Sequence, residues 1–110
     1  MFPAVLSVER IIAQAVEGGA TGIQVVPEAD VLRVYYRIEG ALREVAAMPL
    51  STYRPILARL KMITGMDLAD LGPQDGKLTA STQSAVPAFV AATLQTAYGE
   101  MMVLRVLDAW

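Results

Sequence analysis

The chain has no cysteine and no histidine among its 110 residues. The first absence removes disulfides, zinc–thiolate sites and thiol catalysis. The second removes the commonest general base, the commonest metal ligand and the side chain that titrates near neutral pH. Chemistry is left to carboxylates, tyrosines, lysines and arginines. Charge is also sparse: 18% of residues are charged and the formal net charge is −2. The arginines are dispersed, so no field recruits a polyanion and no nucleic acid is expected as a partner. No apolar run approaches the roughly 18 residues of a membrane-spanning helix, and Met1-Phe2-Pro3 lacks the basic start of a secretory signal. A cytoplasmic protein without direct membrane insertion is expected. Nowhere does G-x-x-x-x-G-K-[ST] occur: Gly18, Gly19 and Gly22 stand too close together, and Lys61 and Lys77 lie in other contexts. No Gly-rich turn therefore offers backbone N–H groups and a lysine to a triphosphate. The chain by itself is expected to carry no catalytic residue, no metal and no cofactor.

Apolar residues, by contrast, make up 55% of the chain. A single domain of this size buries about two-thirds of its unfolded surface, so either the core is generous or a partner covers part of the exterior. Val5, Val8, Ile12, Ala15 and Val16 recur near helical spacing, with Ser7 placed to cap and Gly18-Gly19 to stop, predicting a helix over about 7–18. Residues 22–26 read as a strand ended by Pro27. Residues 31–38 alternate, with Leu32, Val34, Tyr36 and Ile38 on one face and Val31, Arg33, Tyr35 and Arg37 on the other. Glu39-Gly40 predicts a two-residue hairpin turn into a return strand over 41–46, which sets Tyr35 opposite Glu44 and Arg37 opposite Leu42. A second helix is expected over 51–64, with Ile56, Leu57, Leu60 and Ile63 as its apolar stripe, Lys61 on another face, Pro55 in its first turn and Gly65 as its stop. After a loop over 66–74 come a strand at 76–81, a turn at 82–84, an apolar strand at 86–94, a turn at 97–100 and a last strand at 102–107. Pro87 implies an edge position or a bulge. This order predicts an α+β domain: a mainly antiparallel sheet of about six strands with two main helices, covered by helices on both faces or by a partner on one.

Three segments carry a resemblance. Gly19-Ala20-Thr21-Gly22-Ile23-Gln24-Val25-Val26-Pro27 is similar to G-A-S-D-I-H-I-E-P. Arg33-Val34-Tyr35-Tyr36-Arg37-Ile38-Glu39-Gly40-Ala41-Leu42-Arg43-Glu44 is similar to R-x-R-x-R-I-D-G-x-L-x-E. Pro73-Gln74-Asp75-Gly76-Lys77, Thr96-Ala97-Tyr98-Gly99-Glu100 and Val103-Leu104-Arg105-Val106-Leu107-Asp108 are similar to P-Q-D-G-R, T-x-x-G-E and V-L-R-L-L-D. Together, over nearly the whole chain, these resemble the N-terminal, PAS-like domain that precedes the motor of type II secretion and type IV pilus assembly ATPases. No motor is present in residues 1–110. The resemblance implies that two family arginines reach toward the triphosphate held by the motor. Here the first is Lys77, and ungapped alignment puts Val90 at the second. A lysine keeps a point charge without the guanidinium fork, and a valine keeps nothing. The acidic-basic run before P-Q-D-G is shortened to Asp70-Leu71-Gly72, and a family proline is Gln95. Groups facing nucleotide are thus thinned while groups that build the fold persist.

By resemblance, Arg33, Arg37 and Lys77 are the nucleotide-proximal candidates, while Tyr35, Arg43 and Trp110 are candidates for an interface. Against each stands a plainer reading. Arg33 and Arg37 can be a solvated strand face with a cross-strand Arg–Glu pair. Asp75 and Gly76 can simply shape a turn. Asp67, Asp70 and Asp75 could be read as an oxygen cage, but they do not have the spacing of a calcium loop. Met62, Met66, Met101, Met102, Phe89 and Trp110 can floor a pocket or pack a core. Glu100 can pair with Arg105 or cap a strand end, and Trp110 can anchor an interface or be an unordered last residue.

The leading expectation is a non-catalytic interaction or regulatory domain that docks on a secretion or pilus-assembly ATPase motor or on its platform proteins, with peripheral contact to the inner membrane through those partners. The second is the N-terminal half of a full ATPase that lends charge to nucleotide at a composite site. The third is a PAS-like small-ligand sensor. Homo-oligomers are expected if the apolar strand at 86–94 pairs at an edge.

Overall fold

In a computed structural model, residues 4–79 and 87–107 are described. Helix α1 (Ala4–Glu17) leads into strands β1 (Gly22–Pro27), β2 (Val31–Ile38) and β3 (Ala41–Pro49). A short 3₁₀ turn (Leu50–Thr52) then opens helix α2 (Tyr53–Ile63). Strands β4 (Asp75–Leu78), β5 (Phe89–Thr96) and β6 (Gly99–Val106) complete the elements among the described residues. Both helices stop as their glycines demand. Gly19 (φ 75°) and Gly65 (φ 77°) adopt the left-handed conformation. The next amide in each case reaches back to the last turn, Ala20 to the Ala15 carbonyl at 2.9 Å and Met66 to the Lys61 carbonyl at 2.8 Å. Ala20 and Met66 are themselves buried, which supplies the apolar contact that accompanies this type of helix end.

The six strands form one sheet in the order β3-β2-β1-β6-β5-β4, with every neighbouring pair antiparallel. It consists of two three-strand meanders joined where β1 meets β6. The hairpin register is as expected: Tyr35 faces Glu44 and Arg37 faces Leu42, with Glu39 (φ 52°) and Gly40 (φ 78°) both left-handed in the turn. Val34 faces Ala46, so Val45 is an extra residue, a bulge that nothing in the alternation announced.

One face of the sheet holds the core. Ile23, Val25, Leu32, Val34, Phe89, Met102 and Leu104 pack against Val8, Ile12 and Ala15 of α1 and Ile56, Leu57 and Leu60 of α2 in a single cluster. Of the two coverings that the sequence leaves open, helices lie on this one face, and the described residues leave the other uncovered. Tyr36 ties α1 to the sheet: its hydroxyl donates to the Ile11 carbonyl at 2.6 Å. Tyr36→Phe is expected to cost about 1 kcal/mol, read as a lower urea midpoint at unchanged slope. Burial also raises the phenols of Tyr36 and Tyr53 above their ordinary value of 10.0. The unfolded chain therefore ionises first. The stability these groups contribute is complete below pH about 10 and is lost as pH rises further. A circular-dichroism titration into alkali should show unfolding that Tyr36→Phe makes less steep.

Several strand boundaries differ from expectation. β3 runs on to Pro49, β5 starts at Phe89 and continues to Thr96, and the last turn shrinks to Ala97-Tyr98. The expected turn at 82–84 and the start of the 86–94 strand lie outside the described residues. β5 is an interior strand between β4 and β6, not an edge. Pro87 precedes the ladder rather than interrupting it, so its missing N–H says nothing about strand position. Self-association through an edge at this strand is thereby ruled out; the sheet's edges are β3 and β4.

Candidate functional site

On the uncovered face, the strand registers align residues into transverse rows. One row runs Lys77, Val90, Arg105, Gly22, Arg37, Leu42 from β4 to β2 and its neighbour β3. Three cations therefore share a row, separated by a valine and a glycine. The adjoining row is Asp75, Ala92, Val103, Gln24, Tyr35, Glu44. Ala92, Val103 and Tyr35 are only half-buried here, and with Val90 they give the face an apolar middle. Two hollows follow the cation row. One of about 570 Å³ is lined by Asp75, Lys77, Val90, Val103 and Arg105. The other, about 350 Å³, is lined by Thr21, Gly22, Arg37, Leu42 and Arg105.

The nucleotide-proximal candidates separate. Lys77 and Arg37 share the row but stand four strand spacings apart, about 19 Å. Arg33 belongs to another row, opposite Val26 and Ala47, and its charge is already engaged. Its Nε donates to Glu28 at 2.6 Å, and its Nη1 reaches both carboxylate oxygens of Glu44 at 3.0 Å. The hydrogen bond that Arg33 donates to Glu28, with the charges of the Glu28 and Glu44 carboxylates, raises the guanidinium pKa above its ordinary value. Arg33 is therefore the cross-strand Arg–Glu pair of the plainer reading. Arg105, which sequence reasoning considered only as a partner for Glu100, lies directly beside Val90 and shares its face. Only the strand register reveals this, because residues opposite one another in adjacent strands point the same way.

Among the interface candidates, Tyr35 lies on the uncovered face. Arg43 is opposite Tyr36 on the helix-bearing face, at the exposed outer end of β3. Trp110 lies outside the described residues. Met66, Met102 and Phe89 are buried in the core while Met62 is 57% exposed, so they do not share a pocket floor; none of the hollows described here is lined by them. Asp67 and Asp70 accept hydrogen bonds from the Ala69 and Gly72 amides at 2.9 and 2.8 Å, which shapes the loop. Among the described residues, no group of three or more carboxylates is placed to hold a metal.

The feature that sequence reasoning missed lies behind α2. Glu100 pairs with Lys61 rather than Arg105, Nζ to Oε1 at 2.9 Å, with side chains only 3% and 6% exposed. Lys61 Nζ also donates to the Asp70 carbonyl at 3.1 Å, and the Tyr53 hydroxyl donates to the Glu100 carbonyl at 2.8 Å. Lys61 thus sits on the buried stripe of α2, four residues after Leu57, where spacing alone would have put it. Its charge argued otherwise because the compensating carboxylate is 39 residues away. A hollow of about 410 Å³ adjoins the pair, rimmed by Arg54, Leu68, Leu71 and Tyr98.

The chain is 36% identical over 110 residues to the type IV pilus assembly ATPase PilB of Pseudomonas aeruginosa, covering 97% of this chain and 19% of the relative. It is 32% identical over 107 residues to the type II secretion system protein E of Xanthomonas campestris pv. campestris, covering 96% and 19%. It therefore spans about a fifth of the length of these relatives. The ATPase DotB of Legionella pneumophila shares the fold with a TM-score of 0.68 at 12% identity, over 98% of this chain and 30% of that one. The pilus retraction motor PilT does so with 0.61 at 22%, over 92% and 29%. None of the helices is long and apolar enough among the described residues to cross a membrane. Residues 2–110 match the family described as type II/IV secretion system protein, and it is to this family that the chain belongs.

Proposed function

We propose that this domain is a non-catalytic docking module of a type II secretion or type IV pilus assembly ATPase, and that it seats the ATP-hydrolysing part, or a platform partner, on its uncovered sheet face. The observation that carries this reading is the face itself. Its central positions are half-buried and apolar, three of its cations (Lys77, Arg105 and Arg37) lie in one row, and both helices are committed to the opposite side. A partner would cover the apolar middle and meet the row with negative charge. The relatives supply the system in which such a partner occurs.

The test is sedimentation of the chain with the ATP-hydrolysing part of a matching pilus or secretion ATPase. A complex is expected, weakened at least tenfold by Val103→Asp, which places a carboxylate in the apolar middle and spares the core. A chain that remains monomeric beside every component of the system removes the proposal. Alone, the chain is expected to give no micromolar binding heat with ATP and magnesium.

A second reading has its own support, the alignment of Lys77, Val90 and Arg105 across three strands. In it the docked face also lends positive charge to nucleotide at the junction. With the chain grafted in place of the matching residues of the Pseudomonas relative, Lys77→Ala would lower ATP turnover, and Val90→Arg, which restores a guanidinium between two cations, would raise it. Turnover indifferent to both would leave docking alone.

A further inference from the structure

The centre of the cation row holds a notch that docking does not require. Gly22 is paired on one side with Arg105 and on the other with Arg37. Those two arginines stand two strand spacings apart, about 9.6 Å, and the sheet between them is bare. The gap is the hollow of about 350 Å³. Nothing in the backbone calls for glycine at this position. Its φ is not in the left-handed region, and an added Cβ would find ordinary contacts, 3.4 Å from the Leu104 carbonyl and 3.6 Å from Arg37 Cβ. Glycine within a sheet weakens the strand and commonly marks the close approach of a ligand. What it supplies here is room.

The two cations are available. Arg37 makes a single exposed bond, Nη1 to the Gly40 carbonyl at 3.1 Å. Arg105 is exposed and makes no ion pair among the described residues. No carboxylate lines the notch. Arg33, on the same face, shows the opposite arrangement, with two glutamates around it.

We infer that the notch over Gly22 is a seat for a phosphate group, held between the guanidinium groups of Arg37 and Arg105. A carboxylate is planar and saturates one fork. A tetrahedral dianion presents oxygens to both walls at once, and its size suits a floor without a side chain. The inference deepens the composite-charge reading by locating the phosphate at Arg37 and Arg105 rather than at Lys77. Its test uses the chain alone, so either idea can fail without the other.

The experiment is an NMR titration of the whole chain at low ionic strength, where exposed charges are least screened, with sodium pyrophosphate in one arm and ATP in the other. Saturable shifts are expected at Thr21, Gly22 and the Nε–H groups of Arg37 and Arg105, with millimolar affinity that is similar for the two ligands. Arg37→Gln and Arg105→Gln should each weaken binding by at least about tenfold, and Arg33→Gln should leave it unchanged. Gly22→Val is the decisive variant, because it fills the notch while keeping the fold and both arginines. Binding that survives Gly22→Val, or shifts spread evenly over all basic residues, overturns the inference. So does the absence of saturable shifts with both ligands.

Discussion

Glu100→Ala should destabilise the domain by about 3–5 kcal/mol, because it leaves the almost fully buried Lys61 ammonium without its counter-charge. Lys61 keeps only the Asp70 carbonyl as a partner in that variant. Lys61→Ala should cost a similar amount, and for a second reason as well: the same ammonium holds the 66–74 loop against α2. Amide exchange in that loop should therefore accelerate more in Lys61→Ala than in Glu100→Ala. The pair is not optimal in its own terms, since Glu100 Oε2 is buried without a hydrogen-bond partner. Replacing both residues with apolar ones of similar volume, Lys61→Met with Glu100→Leu, should therefore recover most or all of the loss. Urea denaturation of the two single variants and the double variant closes the cycle. Single-variant losses below about 1 kcal/mol would mean the pair behaves as a solvated surface contact.

The second large effect is Gly76→Ala. Gly76 has no unusual φ, but its α-hydrogen faces the end of α2. A Cβ there would lie 2.4 Å from the Thr64 carbonyl and 3.1 Å from both Thr64 Cβ and Met66 Cε. The Thr64 carbonyl cannot withdraw, because it accepts the Lys77 amide at 3.1 Å, the bond that joins β4 to the helix end. The substitution should cost about 1–3 kcal/mol or more, and it should detach β4 before the rest of the sheet. Gly22→Ala, also on the sheet but with an added Cβ that meets only ordinary van der Waals contacts, should be neutral or slightly stabilising. Thermal melts of the two alanine variants would separate them, and equal melting temperatures would show that β4 shifts to make room.

These cases mark how far the sequence could be read. The β2–β3 hairpin was legible down to its register, because alternation and a two-residue turn together leave one pairing. The helix stops at Gly19 and Gly65 were legible because positive φ is a local requirement. The bulge at Val45 was not, since an extra residue in a strand alters no composition. Nor was the interior place of β5: the proline before it looked like an edge signal, and strand order depends on contacts between distant segments. Asp75 and Gly76 were expected to shape a turn, but both lie within β4 and Gly76 has no positive φ; the reason for its glycine is a carbonyl at the end of α2 that no local pattern reveals. Of the candidate site, the sharing of one face by Arg33, Tyr35 and Arg37 could be foreseen. The addition of Arg105 and Lys77 could not, because it needs the registers of β1 with β6 and of β5 with both its neighbours.

The Val45 bulge also governs how copies of the domain can meet. β3 is the longer of the two outer strands, and a kinked ribbon there is a poor template for another chain's amides, while β4 at the far side is only four residues long. Lateral growth of the sheet into a continuous fibre is thus discouraged at both margins. Contacts between copies are therefore expected through the sheet's faces or the helices rather than along its margins.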